Sequence, residues 1–290
     1  MPELHLTYHG GAPVLLREFL REQAGVSAQR IKRLKAVPDG MTRNGVLIRT
    51  VDPVFPGDEI VLKWEETCTA EPNAALTVPV VYETDSLLIC DKPVDLPVHP
   101  SVLHRSDTLA NWFAAQRPQE GFHLVNRLDR NTSGLCMIAK TAHAAHILRG
   151  KVSKRYYALL PPGLTGSGTV NAPIVREQES IIKRCVRADG RNAVTHYRIL
   201  RETARCTLAE LTPETGRTHQ IRVHMAYLGY PLLGDALYGG DCTLLSAHAL
   251  HCGEMTFSDP DTGETMTVRA PLRPDMAALL GNDTAGVSDL

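Results

Sequence analysis

Residues 126–135 read Asn-Arg-Leu-Asp-Arg-Asn-Thr-Ser-Gly-Leu, and within them Arg127 and Asp129 stand two positions apart. In extended backbone such a pair projects from one face while Leu128 points into a core, so a carboxylate is offered to a cleft beside a cation. Asn131 to Gly134 is turn chemistry, and Leu135 to Ala139 continues as an apolar strand. A second stretch, Thr215-Gly216-Arg217-Thr218-His219-Gln220-Ile221-Arg222-Val223-His224-Met225, predicts a helix with Thr218 as N-cap. Ile221, Met225 and Leu228 form its buried face, and Gly229 stops it. His219 and Arg222, three apart, then share a face able to meet Asp129, where an arginine keeps a carboxylate ionised and oriented. In a third stretch, Lys154-Arg155-Tyr156-Tyr157-Ala158-Leu159, strand geometry sends the tyrosines opposite ways. One packs inside, and the other offers an aromatic face on which a base can stack.

Each stretch alone has a plainer reading. Asp129 suits a turn cap, Arg222 an exposed helix ion pair and Tyr156 a core position, while Arg30, Lys32, Arg33 and Lys35 suit a solvated helix face. His219 and His224 are five residues apart, about 500° around a helix, so they do not form a zinc-binding pair and no metal is expected. The seven cysteines are never closer than ten positions, which excludes a disulfide framework or a Cys-x-x-Cys knuckle and fits a reducing cytoplasm.

The elements that position these residues fall into two groups. Early in the chain, Leu15, Leu16, Phe19 and Leu20 have helical spacing, and Ser27 caps a second helix with Ile31 and Leu34 on one face. Asn44-Gly45 signals a hairpin before a strand at Val46–Ile48, and Pro56-Gly57-Asp58 turns into a strand at Glu59–Leu62. A linker is expected over about 65–78. Beyond it, strands are expected at Val80–Tyr82, Ser86–Cys90, Gly134–Ala139, Tyr156–Leu160, Thr195–Leu200 and Cys206–Leu211. Helices are expected from Thr108, over Ala142–Arg149 and over Thr218–Leu228. Strands outnumber helices without alternating regularly, which predicts an α+β fold with a mixed or antiparallel sheet.

The chain has 290 residues and a formal net charge of −1, and 43% of its residues are hydrophobic, as in ordinary globular proteins. No apolar run reaches the roughly 18 residues of a membrane span, and the first residues lack the pattern of a secretory signal, so no membrane partner is expected. The charge is unevenly placed. From Arg130 to Arg176 there are seven Lys or Arg and no Asp or Glu, whereas Ser258 to Leu290 carries −4. One positive face suffices for a polyanion.

In order and spacing, Asn126–Gly134, Lys154-Arg155-Tyr156 and Gly216–His224 together resemble the signature motifs of RluA-type RNA pseudouridine synthases. Asp91-Lys92-Pro93, Gly234-Asp235-Ala236-Leu237-Tyr238-Gly239 and Ala249-Leu250-His251 support the likeness, which spans roughly 78–274. The first 65 residues resemble the S4 RNA-binding domain. The resemblance implies a small S4-like α/β domain over 1–70, a catalytic domain over 71–280 and a tail over 281–290. It also implies conversion of uridines in RNA to pseudouridine, with no cofactor or metal. Asp129 would be the catalytic aspartate, Arg222 its ion-pair partner, Tyr156 a contact to the uracil and Arg127 an aid to flipping the nucleotide. Arg130, Arg217, His219 and Gln220 would touch RNA, joined by Arg30, Lys32, Arg33 and Lys35 of the S4-like part. Two positions depart from the family's usual wording: Asn126 stands where His is common, and Ser246 where Arg often precedes the Ala-Leu-His stretch.

The chemistry breaks the bond from C1′ to N1, turns the uracil and joins C1′ to C5. One carboxylate can serve, either by attacking C1′ or by taking a 2′ proton, whereas glycoside hydrolysis usually takes two. The base must leave its helix to reach the pocket. The S4-like part favours large-subunit ribosomal RNA over transfer RNA. Two rivals are a non-catalytic RNA-binding or ribosome-assembly factor on the same scaffold, and an aspartate-dependent nucleosidase or glycosidase, which would release free base. Joint presence of Asp129, Tyr156 and Arg222 speaks against the first.

Overall fold

The computed structural model describes residues 3–26, 28–64, 67–178 and 182–281. The expected Ser27 cap, residues 65 and 66 of the expected linker and the tail from 282 lie outside the described residues. The chain divides into two compact units between Thr67 and Cys68. From Cys68 onward the segment expected as a linker is instead part of the second unit. Cys68 N–H donates to Glu120 O, Asn111 Nδ2 to Glu71 O, and Val78 is buried. These backbone and side-chain bonds anchor a stretch that its polar composition alone made look free.

In the first unit a four-stranded antiparallel sheet runs Glu3–Thr7, Glu59–Lys63, Met41–Arg43, Val46–Leu47. Asn44 and Gly45 have φ of 49° and 80°, the left-handed pair that a two-residue hairpin turn needs. Leu16, Phe19, Leu20, Ile31 and Leu34 pack with Tyr8 and the inner face of the sheet. Ile31 and Leu34 come from the Ala28–Leu34 helix, as their spacing predicts.

The second unit is built on a ten-stranded sheet. Its main path runs Ser167–Asn171, Val194–Glu202, Thr207–Pro213, Ser153–Leu160, Leu250–Ser258, Ser133–Ala139, Leu87–Lys92, Val80–Glu83. Every pairing is antiparallel except the junction of Ser133–Ala139 with Leu250–Ser258, where Ser133 and Gly134 lie beside His251 and Cys252 in parallel. Helices Leu109–Gln116, Ala142–Leu148, Gln220–Tyr227 and Pro274–Leu280 accompany the sheet. The fold is therefore α+β with a mixed, mainly antiparallel sheet. Strand Ser133–Ala139 is buried along its whole length, and its Leu135, Met137 and Ala139 join Leu87, Leu88, Ile89 and Phe113 in the main core.

Candidate active site

Asp129 sits on the turn that feeds the central strand Ser133–Ala139, and four contacts fix that turn. Thr132 N–H donates to Asp129 O at 3.0 Å. Thr132 Oγ1 bonds His248 Nε2 at 2.8 Å, and Ser133 Oγ bonds His251 Nδ1 at 2.9 Å. Burial pushes His248 down to about 2 and His251 to about 4, so both rings are neutral in neutral solution. On the other side, fully buried Lys92 donates to the carbonyls of Pro93, Leu96 and Arg130 at 2.7, 3.0 and 3.0 Å. Gly134 has φ of +102°, and a Cβ there would lie 2.3 Å from Cys252 O, so only glycine lets the parallel strands meet at this point.

Leu128 is buried, Arg127 exposed and Asp129 between them, the alternation that extended backbone predicts. Asp129 faces Arg222, whose Nη1 donates to Asp129 Oδ2 at 3.3 Å. This is the ion pair expected for Asp129, but it takes a single N–H, and the guanidinium fork is turned to another carboxylate. Its Nε and Nη2 donate to Asp235 Oδ2 and Oδ1 at 2.7 and 2.8 Å, and the Asp235 side chain is 1% exposed. Net, the Arg222 pKa is raised: burial opposes its charge, but Asp235 and then Asp129 outweigh that. The Tyr238 ring lies 5.0 Å from the Arg222 guanidinium carbon. Sequence reading named the Gly234–Gly239 stretch without giving Asp235 or Tyr238 a role. Asp235 pairs with a residue on a separate element, which no helical or strand period reveals.

The helix bearing Arg222 begins later than expected, at Gln220. Its N-cap is His219, not Thr218, and His219 takes a left-handed backbone, φ 58° and ψ 19°. His219 thus precedes the helix rather than sharing its face, yet its Nε2 still lies 3.8 Å from Asp129 Oδ2. Gly229, φ +86°, ends the helix as predicted.

A cavity of about 310 Å3 opens over these groups, at the small end of the roughly 300–1,000 Å3 of ligand sites. Asp129, Arg127, Tyr156, Arg217, His219, Gln220 and Arg222 all line it. Tyr156 and Tyr157 point opposite ways into two different clusters, but both are buried, and Tyr156 shows the cavity only part of its ring. Burial, then neighbouring Cys252, raises the Tyr156 phenol well above its ordinary value, so it stays protonated. Lys154, two residues along the same strand face, also lines the cavity, and burial lowers its pKa. Its amine has no hydrogen bond or ion pair to another described residue. The Lys154-Arg155-Tyr156 spacing alone does not mark this lysine out.

Gln220 and Arg130 are placed differently from expectation. Gln220, expected to touch RNA, has its amide fully engaged inside the protein. Its Oε1 accepts from Thr215 Oγ1 and Arg217 N–H, and its Nε2 donates to Val194 O and Thr195 Oγ1, so it shapes the loop instead. Arg130 lies outside the cavity lining and pairs with Asp95. Arg217 Nε donates to Asn192 O, and exposed Arg127 has no such bond to a described residue. In the first unit Lys32, Arg33 and Lys35 are exposed, whereas the Arg30 guanidinium lies over Trp64 at 4.0 Å. His224 bonds Thr195 Oγ1 and Ala172 O, a packing role. Among the described residues no three His, Cys, Asp or Glu side chains converge as a metal site, and no helix is long and apolar enough to cross a membrane.

The second unit has known relatives. The family model described as RNA pseudouridylate synthase matches residues 86–227, which include Asp129, Tyr156 and Arg222. A Bacillus subtilis protein named uncharacterized RNA pseudouridine synthase YjbO is 37% identical over 270 residues, covering 89% of this chain and 95% of its own. Ribosomal large subunit pseudouridine synthase D of Pseudomonas aeruginosa is 36% identical over 271 residues, 84% of each chain. Among solved structures, human RNA pseudouridylate synthase domain containing 1 superposes with a TM-score of 0.59 at 25% identity, covering 72% of this chain and 89% of that one. With two bacterial relatives matched over most of their length, the chain belongs to the RluA-type RNA pseudouridine synthases and isomerises uridine in RNA.

Proposed function

We propose that Asp129 is the catalytic group, that the RNA is large-subunit ribosomal RNA, and that the reaction takes place in the cytoplasm. One observation carries the catalytic reading. Asp129 is the carboxylate of the cavity with one oxygen held by Arg222 and the other, Oδ1, without a donor among the described residues. A carboxylate oxygen with free lone pairs serves either route, attack on C1′ or removal of the 2′ proton. Asp235 lies deeper and has both oxygens bonded to Arg222. The uracil, freed from C1′ at N1, stays between Tyr156 and the 215–222 loop while it turns, and C5 then bonds C1′. The C5 hydrogen leaves as a proton and N1 gains one, so no electrons are exchanged. Tyr156 contacts the ring, and Arg127, exposed at the rim, fills the space the extruded base leaves.

Arg217 and His219 line the path of the nucleotide, and exposed Lys32, Arg33 and Lys35 of the S4-like first unit meet phosphates. The ribosomal assignment is supported by relatives such as the Pseudomonas aeruginosa large-subunit enzyme. Seven unpaired cysteines suit a reducing compartment.

Tritium release from [5-3H]uridine in RNA tests the catalytic group. Asp129→Asn is nearly isosteric, and phosphates dominate affinity, so the variant binds RNA about as tightly but releases no tritium. Activity within tenfold of wild type would sink the assignment. Pseudouridine maps of ribosomal RNA from cells with and without the gene test the substrate, the expected result being at least one large-subunit position lost.

A further inference from the structure

Two donors approach Asp129 Oδ2, Arg222 Nη1 at 3.3 Å and His219 Nε2 at 3.8 Å. Because Asp235 occupies Nε and Nη2, Arg222 offers Asp129 a single N–H, and one donor does not fix a carboxylate's rotation about its Cβ–Cγ bond. We propose that His219 is a positioning residue for the isomerisation: held by Tyr238 as the neutral Nε2–H tautomer, it joins Arg222 in pinning Asp129 Oδ2, leaving Oδ1 to act on the nucleotide. This rests on the reading of Asp129 as the catalytic group.

The tautomer follows from donor accounting. Arg184 backbone N–H can only donate, and it donates to Tyr238 Oη at 3.0 Å. His219 Nδ1 lies 2.8 Å from the same oxygen. Among the described residues Nδ1 is the one acceptor within reach of the Tyr238 Oη proton, and the proposal makes Oη its donor. The ring's proton is then on Nε2, the nitrogen that faces Asp129. Edge-on packing of the two rings, with centroids 5.7 Å apart and planes at 86°, holds this orientation.

Backbone geometry serves the same end. A left-handed residue other than glycine costs roughly 1–3 kcal/mol and persists only where its surroundings impose it. Here Gln220 anchors the next residue on both sides, and His219 O accepts the first helical bond from Val223 N–H at 2.9 Å. The turn swings the ring back from the helix so that one imidazole reaches Tyr238 and Asp129 together. At 3.8 Å the Asp129 contact is longer than a hydrogen bond, and such contacts commonly tighten when substrate fills the site. Burial keeps the ring neutral against the pull of Asp129, while Arg222 and Arg184 also disfavour its charge and Asp235 favours it.

Nitrogen-15 NMR of histidine-labelled full-length protein, without RNA, reads the tautomer directly, with the His219 signal identified by its loss in His219→Gln. Wild type should carry the proton on Nε2. Tyr238→Phe, which keeps a ring beneath the Arg222 guanidinium, should give mixed tautomers. Single-turnover tritium release then uses transcripts of large-subunit ribosomal RNA or transfer RNA, whichever the wild type modifies. A lost hydrogen bond to a charged group predicts that His219→Asn reacts about tenfold more slowly, whereas Tyr238→Phe, which leaves part of the ring population with its proton on Nε2, slows by about two- to threefold. His219→Gln, which keeps an N–H at the ε position, should stay within about threefold of wild type, and adding Tyr238→Phe to it should change nothing further. Asn and Gln preserve a polar side chain at the left-handed position, and an unchanged melting temperature confirms that each variant folds. A wild-type proton on Nδ1, His219→Asn within twofold of wild type, or Gln no better than Asn would overturn the proposal. The NMR arm needs no RNA and Asp129→Asn reports on the carboxylate separately, so failure here is distinguishable from failure of the underlying reading.

Discussion

Replacing Asp235 by Asn separates the support of the site from its chemistry. Arg222 and Asp235 have side-chain exposures of 7% and 1%, and their paired bonds of 2.7 and 2.8 Å form a buried ion pair. Asn keeps one acceptor but turns an N–H toward the guanidinium, so a buried cation loses its counter-charge and meets a donor. Breaking such a pair from one side costs about 3–5 kcal/mol. For a folding unit of this size that lowers the melting temperature by roughly 6–20 °C. Asp129 has a side-chain exposure of 28% and a single 3.3 Å bond to Arg222, so Asp129→Asn should cost about 1 kcal/mol or less. Isomerisation should rank the other way: Asp129→Asn abolishes it, and Asp235→Asn slows it about tenfold to a hundredfold by loosening Arg222. Differential scanning calorimetry and single-turnover tritium release on the same preparations measure both. If Asp235→Asn melted with wild type, or Asp129→Asn lost more stability than Asp235→Asn, the Arg222 fork would not be the support described here.

Three further outcomes follow from named residues. Buried His251 titrates near 4 against about 6.5 unfolded, so the unfolded chain binds the extra proton between those values. Stability therefore falls as pH drops from 6.5 to 4, by about 3 kcal/mol from this ring; His251→Asn should flatten that limb of a urea-unfolding pH series, and parallel curves would refute the assignment. Gly134→Ala places a Cβ 2.3 Å from Cys252 O in a left-handed backbone and should cost at least about 3 kcal/mol, read as lost soluble yield or an earlier denaturant midpoint. Replacing Lys32, Arg33 and Lys35 by Gln should reduce the slope of log affinity against log salt by roughly 0.7–0.9 for each phosphate these side chains neutralise; an unchanged slope would remove these cations from the RNA interface.

Residues with a local period were legible in the sequence, and residues joined across the fold were not. Leu128 between Arg127 and Asp129, the stretches around 87–92, 133–139 and 142–148, and the Asn44-Gly45 hairpin follow alternation, helical spacing or turn chemistry, and the structure places them there. Leu250–Ser258 escapes sequence reading because it is buried nearly throughout and carries His251 and Glu254 inside, so no alternation marks it. Glu254 is tolerated there because Arg155 and Arg269 pair with it. Glu3–Thr7 is too short to stand out alone and is defined by its ladder with Glu59–Lys63. The helix start at Gln220 is misplaced on sequence grounds because a threonine in a capping position outweighs a histidine whose left-handed turn depends on Gln220 bonds to distant backbone.

The placement of Leu250–Ser258 in the sheet bears on how the enzyme comes into being. Among the described residues it is the last long strand in chain order, yet it lies in the middle, between Ser153–Leu160 and Ser133–Ala139. As the chain emerges during synthesis, the strands of both halves of the sheet appear before the strand that joins them. Until then each half has an open inner edge, and the Asp129 turn lacks the His248 and His251 bonds that fix it. A nascent chain stopped short of this strand would be inactive and prone to pair with another copy of itself, and docking of Leu250–Ser258 would be the slow, non-local step that assembles the site.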